Sequence, residues 1–317
     1  MSVGEFGMDF TYVTDEDRAE YHRFCLHHLS TYGRPPVGEV WHYTTAEGLI
    51  AILREGKIFA TQITCLNDNL EQRYFGDLCF EAMQPVMTSN TDPNYAVLLK
   101  MADEALRNRD FATAWHFVSC FSEIADDLGQ WRGYGGGECG YAMGFRFDGI
   151  LDALKSRPTA LFLPMQYADR SHRLVVDDTL RMAKEYFLGG IAAKGVKDVE
   201  RWAREFLVAF SMQLDIFAST TKHPAFASEM ERRILAPLQE GEVERLEFRQ
   251  KRTLLARHLP LDLTTEVDGV EKLPLTRICV GPGPAQRVSQ VSVGDLLLKY
   301  GYKGIPVERS AVPYRIP

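Results

Sequence analysis

Apolar and polar positions change rhythm sharply over residues 39–60. Glu39-Val40-Trp41-His42-Tyr43 is rich in aromatic and β-branched residues and reads as a strand. Leu49, Ile50, Ile52 and Leu53 then recur at helical spacing, and Ile58-Phe59-Ala60 returns to a strand. Thr44 and Glu47 stand at capping-box spacing ahead of the helix, and Gly56 is placed to end it. The pattern predicts a strand–helix–strand unit with His42 at a strand end. Upstream, Asp15-Glu16-Asp17 opens a helix through His28, and Gly33-Arg34-Pro35-Pro36 breaks it. Residues 1–38 therefore read as an N-terminal helical extension.

Further along, Asn67-Asp68-x-x-Glu71 repeats the capping logic and opens a helix toward Met87. A second helix is expected over Asn94 to Arg109. Trp115 to Phe121 reads as a buried strand ending in Ser122-Glu123, followed by a short helix over Asp126 to Tyr134 that carries Gln130 and Trp131. Gly133, Gly135, Gly136 and Gly137 make a loop, and Tyr141 to Phe147 another strand. Over residues 171–220, Trp202, Phe206, Ala209, Phe210, Leu214 and Phe217 recur with helical period. Lys222-His223-Pro224 interrupts, and Glu229 to Leu235 alternates as a strand does. A helix over Val291 to Tyr300 and the ending Ser310-x-x-Pro313-Tyr314-Arg315 complete the chain. Residues 39–317 are expected to form a single α+β domain with a helical insertion at about 171–220.

Composition narrows the class. In 317 residues, 45% are apolar and 25% charged, ordinary values for a globular chain and too apolar for a disordered one. The formal net charge of −7 argues against broad non-specific binding to nucleic acid. No apolar run approaches the length needed to span a bilayer, and the N-terminus lacks an apolar signal core. The expectation is a cytoplasmic protein with no membrane association. The six cysteines include no C-x-x-C pair, and His22, His27 and His28 lack any metal-site pattern, so no metal is expected.

Three segments carry polar residues with chemical potential: Trp41-His42-Tyr43-Thr44, Cys120-Phe121-Ser122 with Gln130-Trp131-x-x-Tyr134, and Phe226-x-x-Glu229-x-Glu231-x-Arg233. With the Asn-Asp-x-x-Glu turn and the Ser-x-x-Pro-Tyr-Arg ending, their order resembles an uncharacterised bacterial domain-of-unknown-function family over about residues 39–315. More distantly, a His at the end of a first strand, followed by x-x-L-x-x-I-L-x-x-G, resembles the ADP-ribosyltransferase fold. That resemblance implies an α+β fold, a mixed split-sheet core with helical insertions. It implies NAD as substrate and a nucleic acid, a protein or water as acceptor, in a toxin or defence effector. It also implies His42, the Ser122-to-Tyr134 region and Glu231 as site residues.

The chemistry of such a site is coherent. Breaking the nicotinamide–ribose bond builds positive charge on the sugar, which a fixed carboxylate at Glu231 stabilises. His42 can hold a ribose hydroxyl, and the backbone of Tyr43 can clamp the carboxamide. Tyr43, Trp131 and Tyr134 offer ring faces, and Thr44, Ser122 and Arg233 complete the expected binding set. On a strand, Glu229, Glu231 and Arg233 would share one face, leaving Glu229 to activate an acceptor. The alternatives are an RNA 2′-phosphotransferase-like activity and a catalytically inactive nucleotide-binding module. Against these stand structural readings: His42 bridging a strand end to a carbonyl, Trp131 and Tyr134 packed in a core, and Glu229 to Arg233 as a solvated face.

Overall fold

The structure is a computed structural model that describes residues 10–32, 34–66, 70–108, 116–135, 140–239, 241–251, 254–267 and 269–313. The Asn67-Asp68 cap, Trp115, Gly136, Gly137, Tyr314 and Arg315 lie outside the described residues. The chain is mixed α and β and divides into two compact units, each assembled from three segments.

The helical unit takes Met1–Gly33, Leu66–Ala114 and Met165–Phe226. It contains α1 (Asp15–Tyr32), α3 (Leu70–Ser89), α4 (Pro93–Asn108), α7 (Asp169–Ala193) and α8 (Val199–Thr220). The helical stretch expected over 171–220 is thus two helices, and the residues that recur along α8 face the unit's core. Trp202, Phe206 and Phe210 pack there with Tyr21, Tyr95, Leu98, Leu99 and Phe187. The rings interlock: Phe187 stacks on Trp202 at 6.0 Å, and Phe206 on Phe210 at 5.2 Å. The Glu205 carboxylate, buried on α8, accepts from the backbone N–H groups of Thr11 (2.8 Å), Tyr12 (2.7 Å) and Val13 (3.2 Å). Burial opposes ionisation of Glu205, but these donors and Arg201 outweigh it and hold the group below its ordinary pKa.

The sheet unit takes Arg34–Cys65, Trp115–Pro164 and Ala227–Pro317. Its strands are β1 (Glu39–Thr44), β2 (Lys57–Gln62), β3 (His116–Ser122), β4 (Tyr141–Arg146), β5 (Leu161–Pro164), β6 (Glu231–Pro237), β7 (Glu247–Lys251), β8 (Leu254–Asp262), β11 (Leu275–Val280) and β12 (Val307–Arg309). A separate two-stranded ladder pairs β9 (Thr265–Val267) with β10 (Val270–Lys272). The helices α2 (Ala46–Glu55), α5 (Leu128–Tyr134), α6 (Phe147–Leu154) and α9 (Gln286–Lys299) belong to the same unit. One core joins strand residues Val40, Phe121, Met143 and Phe145 to Leu49, Ile52 and Leu53 of α2 and Ile150 of α6.

The large sheet branches at β3. One edge of β3 pairs with β6 from His116↔Pro237 to Ser122↔Glu231, and β6 in turn pairs with β5. The other edge is shared. β1 meets it at the single pair Trp41↔Ser122, while β2 meets it at Thr61↔Val118 and Gln62↔Phe117. No described strand pairs with β3 on that edge over Ser119 to Phe121. On its other edge β1 pairs with β4 along its whole length, Glu39↔Arg146 to Thr44↔Tyr141, while its contact with β3 stops at Trp41. The sheet is therefore split between β1 and β2, with β3 as the floor of the split.

Three local expectations are corrected. Thr45, not Thr44, caps α2, accepting from Gly48 N–H at 3.3 Å, which leaves Glu47 outside any capping box. Thr44 belongs to β1, and its hydroxyl lies where a side chain at position 48 would begin, so any larger residue there obliges Thr44 to move. Phe147 opens α6 and does not end a strand. The strand expected from Glu229 starts at Glu231, because Pro224–Glu229 forms a 3-10 turn and Met230 sits in the left-handed region at φ 46°. Glu229 and Glu231 are therefore not successive positions on one strand face. Gly56 ends α2 as expected, at φ 67° with its N–H on Ile52 O.

Candidate functional site

The split brings β1, β3 and β6 to one end of the sheet unit. Residues paired across neighbouring strands lie on the same face, so the row Trp41, Ser122, Glu231 shares one face. Cys120 pairs with Arg233 on that same face. Glu231 and Trp41 stand two strands apart, about 9–10 Å. Phe121 and Arg232 occupy the opposite face, where the Arg232 guanidinium lies over the Phe147 ring at 5.1 Å.

His42 is the first β1 residue beyond the single pair with β3. Its ring packs against Phe121 at 5.5 Å, and Nδ1 lies 2.9 Å from Cys120 O. Cys120 belongs to the stretch of β3 that no strand pairs on this edge, so the imidazole supplies the missing donor. A carbonyl only accepts; Nδ1 therefore carries the proton, and the neutral ring presents Nε2 as an acceptor. Burial lowers the His42 pKa, outweighing the carbonyl contact that favours the charged form.

Glu231 and Arg233 are both buried and paired side by side on β6: Arg233 Nε to Glu231 Oε1 is 2.7 Å and Nη2 to Oε2 is 3.2 Å. The backbone around them is tied from several directions. Arg34 Nη2 donates to Glu231 O at 2.7 Å, Glu123 N–H donates to Met230 O at 3.0 Å, and Ser122 Oγ donates to Glu229 O at 2.8 Å. Glu123 accepts from Arg232 Nε (2.6 Å) and Arg34 Nε (3.3 Å), while Arg232 also donates to Pro35 O. Burial lowers the Arg232 pKa against the pull of Glu123.

The aromatic candidates gather in a small cluster of Trp41, Tyr43, Trp131, Ala142 and Cys279. The Tyr43 and Trp131 rings meet edge to face at 4.7 Å. Tyr43 Oη donates to Ile124 O (2.9 Å) and accepts from Asp127 N–H (3.1 Å); Trp131 Nε1 donates to Asp126 Oδ1 (2.7 Å). Ser122 Oγ likewise accepts from Ile124 N–H at 3.1 Å. These polar atoms hold the β3–α5 loop in place. Tyr134, 40% exposed, is the candidate ring with an outward surface.

Of the residues expected to form one site, the structure brings Ser122, Glu231 and Arg233 onto one face, with Trp41 in the same row. It packs Tyr43 against Trp131. His42 stands apart from Glu231, with its ring in the split and its strand position on the other face. Glu229 lies off the strand, and Thr44 packs over Gly48. Arg34, Glu123 and Asp126 were read only as parts of a breaker, a strand end and a helix start. Ion pairs between residues remote in sequence leave no local periodicity to find. Among the described residues, no group of three or more His, Cys, Asp or Glu side chains is placed to hold a metal ion, and no helix is long and apolar enough to cross a membrane.

Residues 130–234 match the model of a family described as a protein of unknown function (DUF2971). This bears out the resemblance to an uncharacterised family over about a third of the chain. The matched span contains Trp131, Tyr134, Glu229, Glu231 and Arg233, and His42 lies outside it. No curated protein and no solved structure matches the chain.

Proposed function

We propose that the sheet unit binds an NAD-type dinucleotide at the split between β1 and β2 and acts as an ADP-ribosyltransferase. The observation that carries this reading is the neutral His42 imidazole, fixed through Nδ1 in the split with Nε2 left as an acceptor for a ribose hydroxyl. In the reaction, the bond between the ribose C1′ and the nicotinamide nitrogen breaks. Nicotinamide leaves neutral with the bonding electron pair, a nucleophilic oxygen or nitrogen of the acceptor forms the new bond at C1′, and that atom's proton passes to water. To stabilise the positive charge that builds on the sugar, the carboxylate of Glu231 must part from Arg233 and reach the split from the other face of the sheet.

The test is nicotinamide release by the full chain from NAD, with nucleic-acid and protein acceptors or water, beside Glu231→Gln. Loss of one preorganised charge stabiliser lowers turnover about a hundredfold or more. Equal turnover in parent and variant contradicts the role of Glu231, and no release with any acceptor contradicts the reaction. A second reading, nucleotide binding without turnover, is favoured by the hold of Arg233 on Glu231 and by the separation of Glu231 from His42. It gives saturable NAD binding by calorimetry with no nicotinamide released.

A further inference from the structure

Neither Trp131 nor Tyr43 can stack on a ligand in the observed arrangement, because both are buried. The segment that follows β12 lies against the cluster they belong to: the side chain of Val312 packs on it, as does Ala125 of the β3–α5 loop. Two of the bonds that fasten this segment go to one side chain. Asp126 Oδ1 accepts from Ser310 Oγ at 2.5 Å and from Trp131 Nε1 at 2.7 Å, while Oδ2 accepts from Ala311 N–H at 2.8 Å. Val312 N–H donates to Ser310 Oγ at 3.1 Å, closing a tight turn. Upstream, Ser310 N–H donates to Val280 O at 2.8 Å, and Gln286 Nε2 donates to Ser310 O at 3.1 Å.

We infer that Ser310–Pro313 is a releasable lid over the aromatic cluster, latched by Asp126, and that its departure opens the ring faces of Trp131 and Tyr43 to the base of a nucleotide. The latch and its cargo share one carboxylate, so losing the tail bonds leaves Asp126 still holding the indole in place. The cover is also light: Val312 is its one apolar residue seated on the cluster, and Ala311 and Pro313 are exposed. A lid of this kind opens at small cost, in contrast to a strand or helix docked through a continuous apolar face. The identity of the ligand rests on the reading above; the lid itself does not.

The test is acrylamide quenching of Trp131, isolated as the difference between each protein and its Trp131→Phe counterpart. It is applied to the parent, to Asp126→Asn, to Ser310→Ala and to a chain ending at Arg309. Asp126→Asn puts an amide donor where Ala311 N–H or Ser310 Oγ–H needs an acceptor, so it unlatches the tail. The expected result is at least a twofold rise in the quenching constant for the shortened chain and for Asp126→Asn, with a smaller rise for Ser310→Ala. Unchanged quenching in a shortened chain that retains the parent's circular dichroism spectrum overturns the lid. If Asp126→Asn fails to fold, Ser310→Ala and the shortened chain still decide. NAD affinity of the shortened chain is measured alongside, with a several-fold gain expected. Raised quenching without that gain sustains the lid and counts against the nucleotide reading.

Discussion

In the helical unit, the buried Glu205 carboxylate gathers three backbone N–H groups from Thr11, Tyr12 and Val13 and so fixes a distant segment of chain. In the sheet unit, the buried Glu231 carboxylate meets Arg233, two residues along the same strand, at 2.7 Å. Elsewhere in that unit, Arg157 and Glu242 resemble the first case: their pair joins residues 85 apart in sequence, and Arg157 also donates to Pro237 O. Desolvating two charges costs several kcal/mol per ion, on the order of what a good pair returns. Where such a pair closes the chain, stability accounts for it. Glu231 and Arg233 bury two charges side by side on one strand, which is the physical reason to look for function at β6.

The comparison can be broken at several points. Trp202→Ala, in the interlocked rings of the helical unit, is expected to lower stability by about 3–5 kcal/mol, read as a fall in denaturant midpoint. Glu205→Gln leaves backbone donors of the N-terminal segment short of an acceptor and is expected to cost about 1–3 kcal/mol at pH 7. Because the folded pKa of Glu205 lies below the ordinary value, its contribution is present above the glutamate range and is lost as pH falls through the folded pKa. The gap between Glu205→Gln and the parent should therefore narrow in acid; a constant gap contradicts the carboxylate's role.

Asp215 on α8 sharpens the contrast with the opposite sign. Burial pushes its pKa up to about 7, so the folded state keeps a proton that the unfolded chain has released. Stability then falls as pH rises from the ordinary aspartate range toward 7. Asp215→Asn should raise stability by on the order of 1 kcal/mol at pH 8 and by less at pH 5. Thermal melts at the two pH values check this, and an equal effect at both refutes it. The smallest effect is expected at Thr45, whose capping bond of 3.3 Å is long. Thr45→Ala should cost about 0.5 kcal/mol in chemical unfolding.

Much of the scaffold was legible along the chain. The aromatic and β-branched content of Glu39–Tyr43, the apolar stripe of α2, the αL glycine at 56 and the aromatic period of α8 all report local geometry, and each is found where the pattern puts it. What could not be read is what depends on pairing between distant strands. The split arises because β1 meets β3 at one pair only while staying with β4 along its whole length, a pairing register that no local pattern encodes. The same register sets His42 apart from Glu231, although each lies on a strand as its local pattern predicts. At Met230, a β-like alternation was overridden by the tertiary bonds to Met230 O and Glu229 O, which turn the backbone left-handed. The polar atoms of Ser122, Tyr43 and Trp131 looked available because sequence cannot show that loop groups already occupy them.

The central claim is that His42 is a neutral acceptor held in the split for a nucleotide sugar. Nitrogen-15 NMR of the histidine side chains, assigned with His42→Ala, tests it most directly. At neutral pH the account predicts a His42 ring protonated at Nδ1 alone, with an Nε2 resonance that moves on saturation with NAD as the lone pair accepts a hydrogen bond. A His42 ring protonated at Nε2, or a resonance indifferent to NAD, would contradict it.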